Sequence, residues 1–139
     1  MIDKNISSIL SIANEVLTSI DKEEFKAISN FKEIPNERGI YLIKERDGDV
    51  FYVGSASKRT LYDRVVKNHL RGNIRNSVLR KKLVKNKGLK EENIENYLLN
   101  QCQFIFREIK DFDEVLAVEH LVILILRKNK RTLFNEGKE

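Results

Sequence analysis

The chain of 139 residues has little of what marks the special structural classes. One proline and six glycines exclude collagen-like and low-complexity material. A single cysteine, Cys102, cannot close an internal disulfide, so the expected compartment is intracellular, cytoplasmic and reducing. Its simplest role is that of a small buried apolar side chain. Two histidines and one cysteine are too few for a structural zinc site without carboxylates. Residues 1–5 lack the basic segment and apolar run of a secretory signal. The longest apolar stretch, 117–126, is interrupted by Glu119 and His120 and falls well short of the roughly 20 residues that cross a bilayer. No membrane association is expected.

What the chain does have is charge, at 34% of residues, with enough aliphatic side chains for one domain's core. The net charge of +5 hides an uneven distribution. Residues 1–37 hold four basic and seven acidic side chains, and 91–139 hold seven basic and ten acidic. Between them, 58–90 hold twelve basic residues against Asp63 alone. Such a block rewards a polyphosphate partner, because each neutralised phosphate releases condensed counterions. The candidate contacts are Lys58, Arg59, Lys67, Arg71, Arg75, Arg80, Lys81, Lys82 and Lys85. A solvated helix face would carry a similar run, and the block by itself names no chemistry.

Hydrophobic periodicity divides the chain. Ile6, Ile9, Leu10, Ala13, Val16, Leu17 and Ile20 recur at three- and four-residue steps, predicting an amphipathic helix over 5–20. Asp21 and Glu24 have capping-box spacing, predicting a second short helix that Pro35 closes. The period then changes to two. Residues 39–44 and 50–53 read as strands of a hairpin around Asp47-Gly48, with Ile40 and Leu42 on one face and Tyr41 and Ile43 on the other. Helices are predicted over 60–70, stopped by Gly72, over about 76–86, capped by Gly88, and over about 90–100. A third strand follows at 103–109. Asp111 and Glu114 then cap a last helix to about Lys128. The expected fold is α+β, with a small, mainly antiparallel three-stranded sheet flanked by helices. An N-terminal helical extension, 1–37, would pack on a domain spanning 38–139.

The last helix is aliphatic nearly all round, which predicts that it is buried. Glu119 lies in its middle, so an ionised carboxylate there needs a cationic side chain or a metal as partner. His120, about 100° away on the helix, reads as structural. Both strands of the hairpin carry a tyrosine near a glycine, in Gly39-Ile40-Tyr41 and Tyr52-Val53-Gly54. Arg64 follows on the next helix, Glu119 on the last, and Asn135 near the end.

On these residues, over roughly 38–136, the chain resembles the GIY-YIG nuclease family, with Val53 in place of the second motif's isoleucine. The resemblance implies an endonuclease that hydrolyses DNA phosphodiesters with one divalent metal, Mg²⁺ or Mn²⁺; RNA is not excluded as substrate, and the oligomeric state is left open. Glu119 would hold the cation, Arg64 would grip a phosphate oxygen, and Tyr41 would act on the attacking water. Tyr52 would orient water or phosphate, with Asn135 as a supporting side chain. Many relatives place His or Tyr four residues after the arginine; here Asn68 stands there and His69 comes one later. Five residues on an α-helix turn through about 140°, so His69 enters as a candidate proton shuttle that needs a shifted or irregular helix. Some relatives carry a lysine where Ser55 stands, and Lys58 or Arg59 is a candidate for that cation. A non-catalytic nucleic-acid-binding module of the same fold is the alternative.

Overall fold

The computed structural model describes residues 2–129. Asn135 lies outside them. The elements are α1 (Ile2–Asp21), β1 (Gly39–Glu45), β2 (Val50–Ala56), a π-helix (Asp63–Leu70), α2 (Val78–Lys87), α3 (Ile94–Asn100), β3 (Cys102–Glu108) and α4 (Phe112–Lys128), with short 3-10 turns at Phe31–Glu33 and Glu91–Asn93. The fold is α+β, as the sequence predicts. Its three strands are antiparallel in the order β2-β1-β3, which leaves β2 at an edge.

The sheet is covered on both faces. Tyr41, Ile43, Tyr52 and Phe104 pack under Leu61 just ahead of the π-helix, Val65 and Leu70 within it, Leu79 and Leu83 of α2, and Leu98 of α3. Ile40, Leu42, Val53 and Ile105 face the other way, onto Val16 and Ile20 of α1 and Val115, Val118 and Val122 of α4. The strict alternation along β1 therefore divides two half-cores. Near the hairpin turn the register shifts between Ile43 and Lys44, so Phe51 is an extra residue on β2 and β2 bends there. The connection itself is a four-residue loop, tightened by the Gly48 N–H donating to the Glu45 carbonyl (3.0 Å).

Two expectations are corrected. No second helix follows α1 before the turn at Phe31–Glu33. Instead Glu23 takes a left-handed conformation (φ 55°) and ends α1. Its N–H donates to the Ile20 carbonyl and the Glu24 N–H to that of Ser19, the crossed pair of bonds that closes a helix. Lys26 then forms a bridge with Phe104, laying the chain along β3. Nor is α4 buried all round. It buries a stripe of Val115, Val118, Val122 and Leu126, while Leu116 and Leu124 stay exposed. No helix among the described residues is long and apolar enough to cross a membrane.

Candidate active site

Tyr41 and Gly54 are cross-strand partners in the β1–β2 ladder. The Tyr41 ring lies directly across Gly54: a Cβ added there would sit 2.2 Å from Cζ and 2.3 Å from the hydroxyl oxygen. Glycine in the second tripeptide is thus a space requirement set by the tyrosine of the first. Tyr52, opposite Ile43, shares that face, with its ring centroid 6.2 Å from that of Tyr41.

His69 joins them through the irregularity of its helix. Residues 63–70 are π-helical, and the Arg71 N–H donates to the Val66 carbonyl at the i→i+5 spacing (2.9 Å). That repeat stacks residues about five apart, which brings His69 onto the side of Arg64 despite the five-residue step. The His69 centroid lies 5.5 Å from Tyr41 and 6.2 Å from Tyr52, and its Nε2 is hydrogen-bonded to the Tyr41 hydroxyl. Its Nδ1 meets the Ser77 hydroxyl at 2.6 Å. Asn68, the residue at the usual spacing, accepts a bond from Arg59 (2.8 Å) and donates to the Asn76 carbonyl (3.1 Å).

Arg64 acts electrostatically on Tyr41, His69 and Glu119 alike, and its buried Nε has no hydrogen-bond partner. It lines a pocket of about 280 Å³ with Ser55, Ala56, Ser57, Lys58 and Arg59. Three cations around one small pocket are a ready anion site.

Glu119 comes from α4, on the opposite layer of the sheet from Tyr41. It reaches the site around the β2 edge. Its Oε1 accepts a hydrogen bond from Ser55 (2.8 Å), and it lines a groove of about 480 Å³ with Tyr52, Val78, His120, Ile123, Leu124 and Arg127. His120, expected to be structural, is exposed on this groove beside the carboxylate.

The environment sets the charges. Burial pushes the Tyr41 phenol well above its usual pKa, the neighbouring Tyr52 adds to this, and Arg64 opposes it. Burial, then Arg64 and Arg80, hold His69 down to about 3, so the imidazole is neutral. Burial also raises Glu119 above the ordinary carboxylate value, opposed by Ser55, His120 and Arg64. A cation beside Glu119 would reverse that preference. Among the described residues no three His, Cys, Asp or Glu side chains cluster as a metal cage. One carboxylate facing a groove fits a hard ion that keeps most of its waters, such as Mg²⁺.

The basic block divides on folding. Lys58, Arg59, Lys67, Arg71, Arg75, Lys81 and Lys85 are exposed and Lys82 is partly buried. Lys67 pairs with Asp63 (3.3 Å), and Arg71 faces Glu95 (3.7 Å) and lies over the Phe31 ring. Arg80 is a correction: it is 6% exposed, and its reach ends at the Glu91 carbonyl (3.4 Å). It cannot meet a phosphate without moving. Sequence reasoning assigned no role to Ser77 and left Ser55 only as a missing lysine, because a lone serine carries no pattern.

Residues 21–139 match the family model of the GIY-YIG catalytic domain. No curated protein matches the chain, and no solved structure does.

Proposed function

Since the chain belongs to the GIY-YIG catalytic domain family, and is thereby a nuclease-type hydrolase acting on nucleic acid, we propose that it is a divalent-metal-dependent endonuclease that cuts DNA by a one-metal mechanism. One observation carries the reading: the hydrogen-bonded Tyr41–His69 pair and the Arg64 guanidinium lie at one edge of the sheet, where Glu119 arrives from the opposite layer.

Glu119 would hold the cation, with Ser55 fixing the orientation of the carboxylate. A cation held there, Mg²⁺ or Mn²⁺, would supply Lewis-acid stabilisation of the phosphate. Arg64, with Lys58 and Arg59 in the same pocket, grips the scissile phosphate and neutralises charge that builds on it. Tyr41, as phenolate, takes the proton of the attacking water. Burial and Tyr52 hold the phenol protonated at rest; Arg64 beside it opposes them, and a cation held at Glu119 would have to lower it further. Tyr52 borders both Tyr41 and the Glu119 groove and orients water or phosphate there. The exposed cations of 58–85 hold the flanking backbone.

Supercoiled plasmid incubated with the protein and Mg²⁺ or Mn²⁺ tests this. Nicking that EDTA abolishes is expected. Salt-sensitive binding to the same plasmid without nicking would favour the non-catalytic binding module.

A further inference from the structure

The first turn of α2 contributes two groups to the site that the proposed mechanism does not use. Ser77 is the N-cap of α2, and its hydroxyl oxygen accepts the Arg80 N–H at 3.0 Å. The same oxygen lies 2.6 Å from His69 Nδ1, and both residues are buried, at 2% and 1% exposure. Behind them sits the Arg80 guanidinium, also buried, with Nε and Nη1 unpaired.

These contacts favour one direction for a hydrogen-bond chain. A serine hydroxyl has one proton to give. With the oxygen accepting from Arg80, His69 Nδ1 is the one acceptor at hydrogen-bond distance among the described residues that can take the serine proton. A neutral imidazole that accepts at Nδ1 carries its proton on Nε2. Nε2 is the atom that touches the Tyr41 hydroxyl, so it donates to the phenol oxygen. The opposite tautomer, with Nδ1–H donating to Ser77, is equally neutral, but it would leave the buried serine proton without an acceptor at hydrogen-bond distance among the described residues.

We propose that Ser77 locks His69 in the Nε2–H tautomer, so that His69 is a positioning residue that donates to the Tyr41 oxygen and never takes the Tyr41 proton. Arg80 reinforces this by keeping the imidazole neutral from the core side. In consequence Tyr41 meets two donors, His69 and Arg64, which work against the burial that keeps the phenol protonated. This role rests on the nuclease reading above, whereas the tautomer itself does not. It replaces the proton shuttle expected of His69 from the sequence.

The test has two arms. In the full chain labelled with ¹⁵N, long-range proton–nitrogen spectra of His69 should show protonated Nε2 and bare Nδ1. A protonated Nδ1 overturns the proposal, whether or not the protein cleaves DNA. In the cleavage assay, His69→Gln retains an N–H donor but no base. It should keep turnover within about tenfold of wild type, while His69→Ala loses more than that through kcat with KM little changed. Equal loss in both variants, each folded by circular dichroism, would restore the base role and overturn the proposal. A wild-type chain that does not cleave at all would sink the nuclease reading and leave the spectra to decide the tautomer.

Discussion

Gly54→Ala is the smallest change that should disable the site from a distance of one methyl group. The added Cβ would lie 2.2, 2.3 and 2.7 Å from the Tyr41 Cζ, hydroxyl oxygen and Cε1. Ordinary carbon contacts need about 3.5–4.0 Å, so the ring must retreat by more than an ångström. It has nowhere to go: Tyr41 is fully buried, and its hydroxyl is bonded to a His69 that Ser77 holds from behind. The expected loss of stability is about 1–3 kcal/mol, the range for overpacking a filled core. The loss of activity should be larger in proportion, since a misplacement of about 1 Å costs about 100-fold in rate. Thermal melts and single-turnover cleavage of a labelled duplex measure the two effects separately. A Gly54→Ala chain with wild-type melting temperature and wild-type rate would refute the packing argument and the placement of Tyr41 at the reacting centre.

Three further outcomes follow from other parts of the molecule. His69 has a folded pKa of about 3 against 6.5 unfolded, so below pH 6.5 the unfolded chain takes up a proton that the folded chain refuses. Its contribution is intact above pH 6.5 and is lost as pH falls toward 3, at up to about 1.4 kcal/mol per pH unit. Glu119, whose folded pKa is raised, acts in the opposite sense at lower pH. Denaturant melts between pH 7.5 and 5 should fall more steeply for wild type than for His69→Gln; parallel curves would contradict the buried neutral imidazole. Glu23→Gly should raise stability by about 0.5–1 kcal/mol, because Glu23 holds a left-handed conformation that costs a side-chain-bearing residue energy; an unchanged or lower melting temperature would count against this. Replacing exposed Lys81 and Lys85 by Ala should weaken binding to all DNA sequences alike and reduce the salt slope by about 1 for each, whereas buried Arg80→Gln should leave the slope unchanged.

The parts of the fold that the sequence reveals are those fixed by short-range pattern. The hairpin follows from alternation about Asp47-Gly48, α2 ends where Gly88 takes its left-handed conformation, and Asp111 accepts the Glu114 N–H at the start of α4. What stays hidden is decided by tertiary contact. Residues 21–35 carry helix-like capping chemistry, yet Phe25, Ile28 and Ile34 are buried against the sheet and Lys26 pairs with β3. The π-helix could not be predicted from residue preferences, and the wrong-looking spacing of Arg64 and His69 was its only trace. The family motifs locate Tyr41, Tyr52, Arg64 and Glu119. They do not reveal that Glu119 approaches from the opposite layer, nor that Arg80 turns inward while its neighbour Lys81 stays in water.

The central claim is that Glu119, brought around the β2 edge, completes a metal-dependent site with Tyr41 and Arg64. Single-turnover cleavage across a Mg²⁺ titration, for wild type, Glu119→Gln and Arg64→Ala, tests it most directly. The account predicts Mg²⁺-dependent cleavage by wild type, no saturable Mg²⁺ response in Glu119→Gln, and a lowered plateau at an unshifted Mg²⁺ midpoint in Arg64→Ala. Glu119→Gln cleaving at the wild-type rate with the wild-type Mg²⁺ dependence would contradict it.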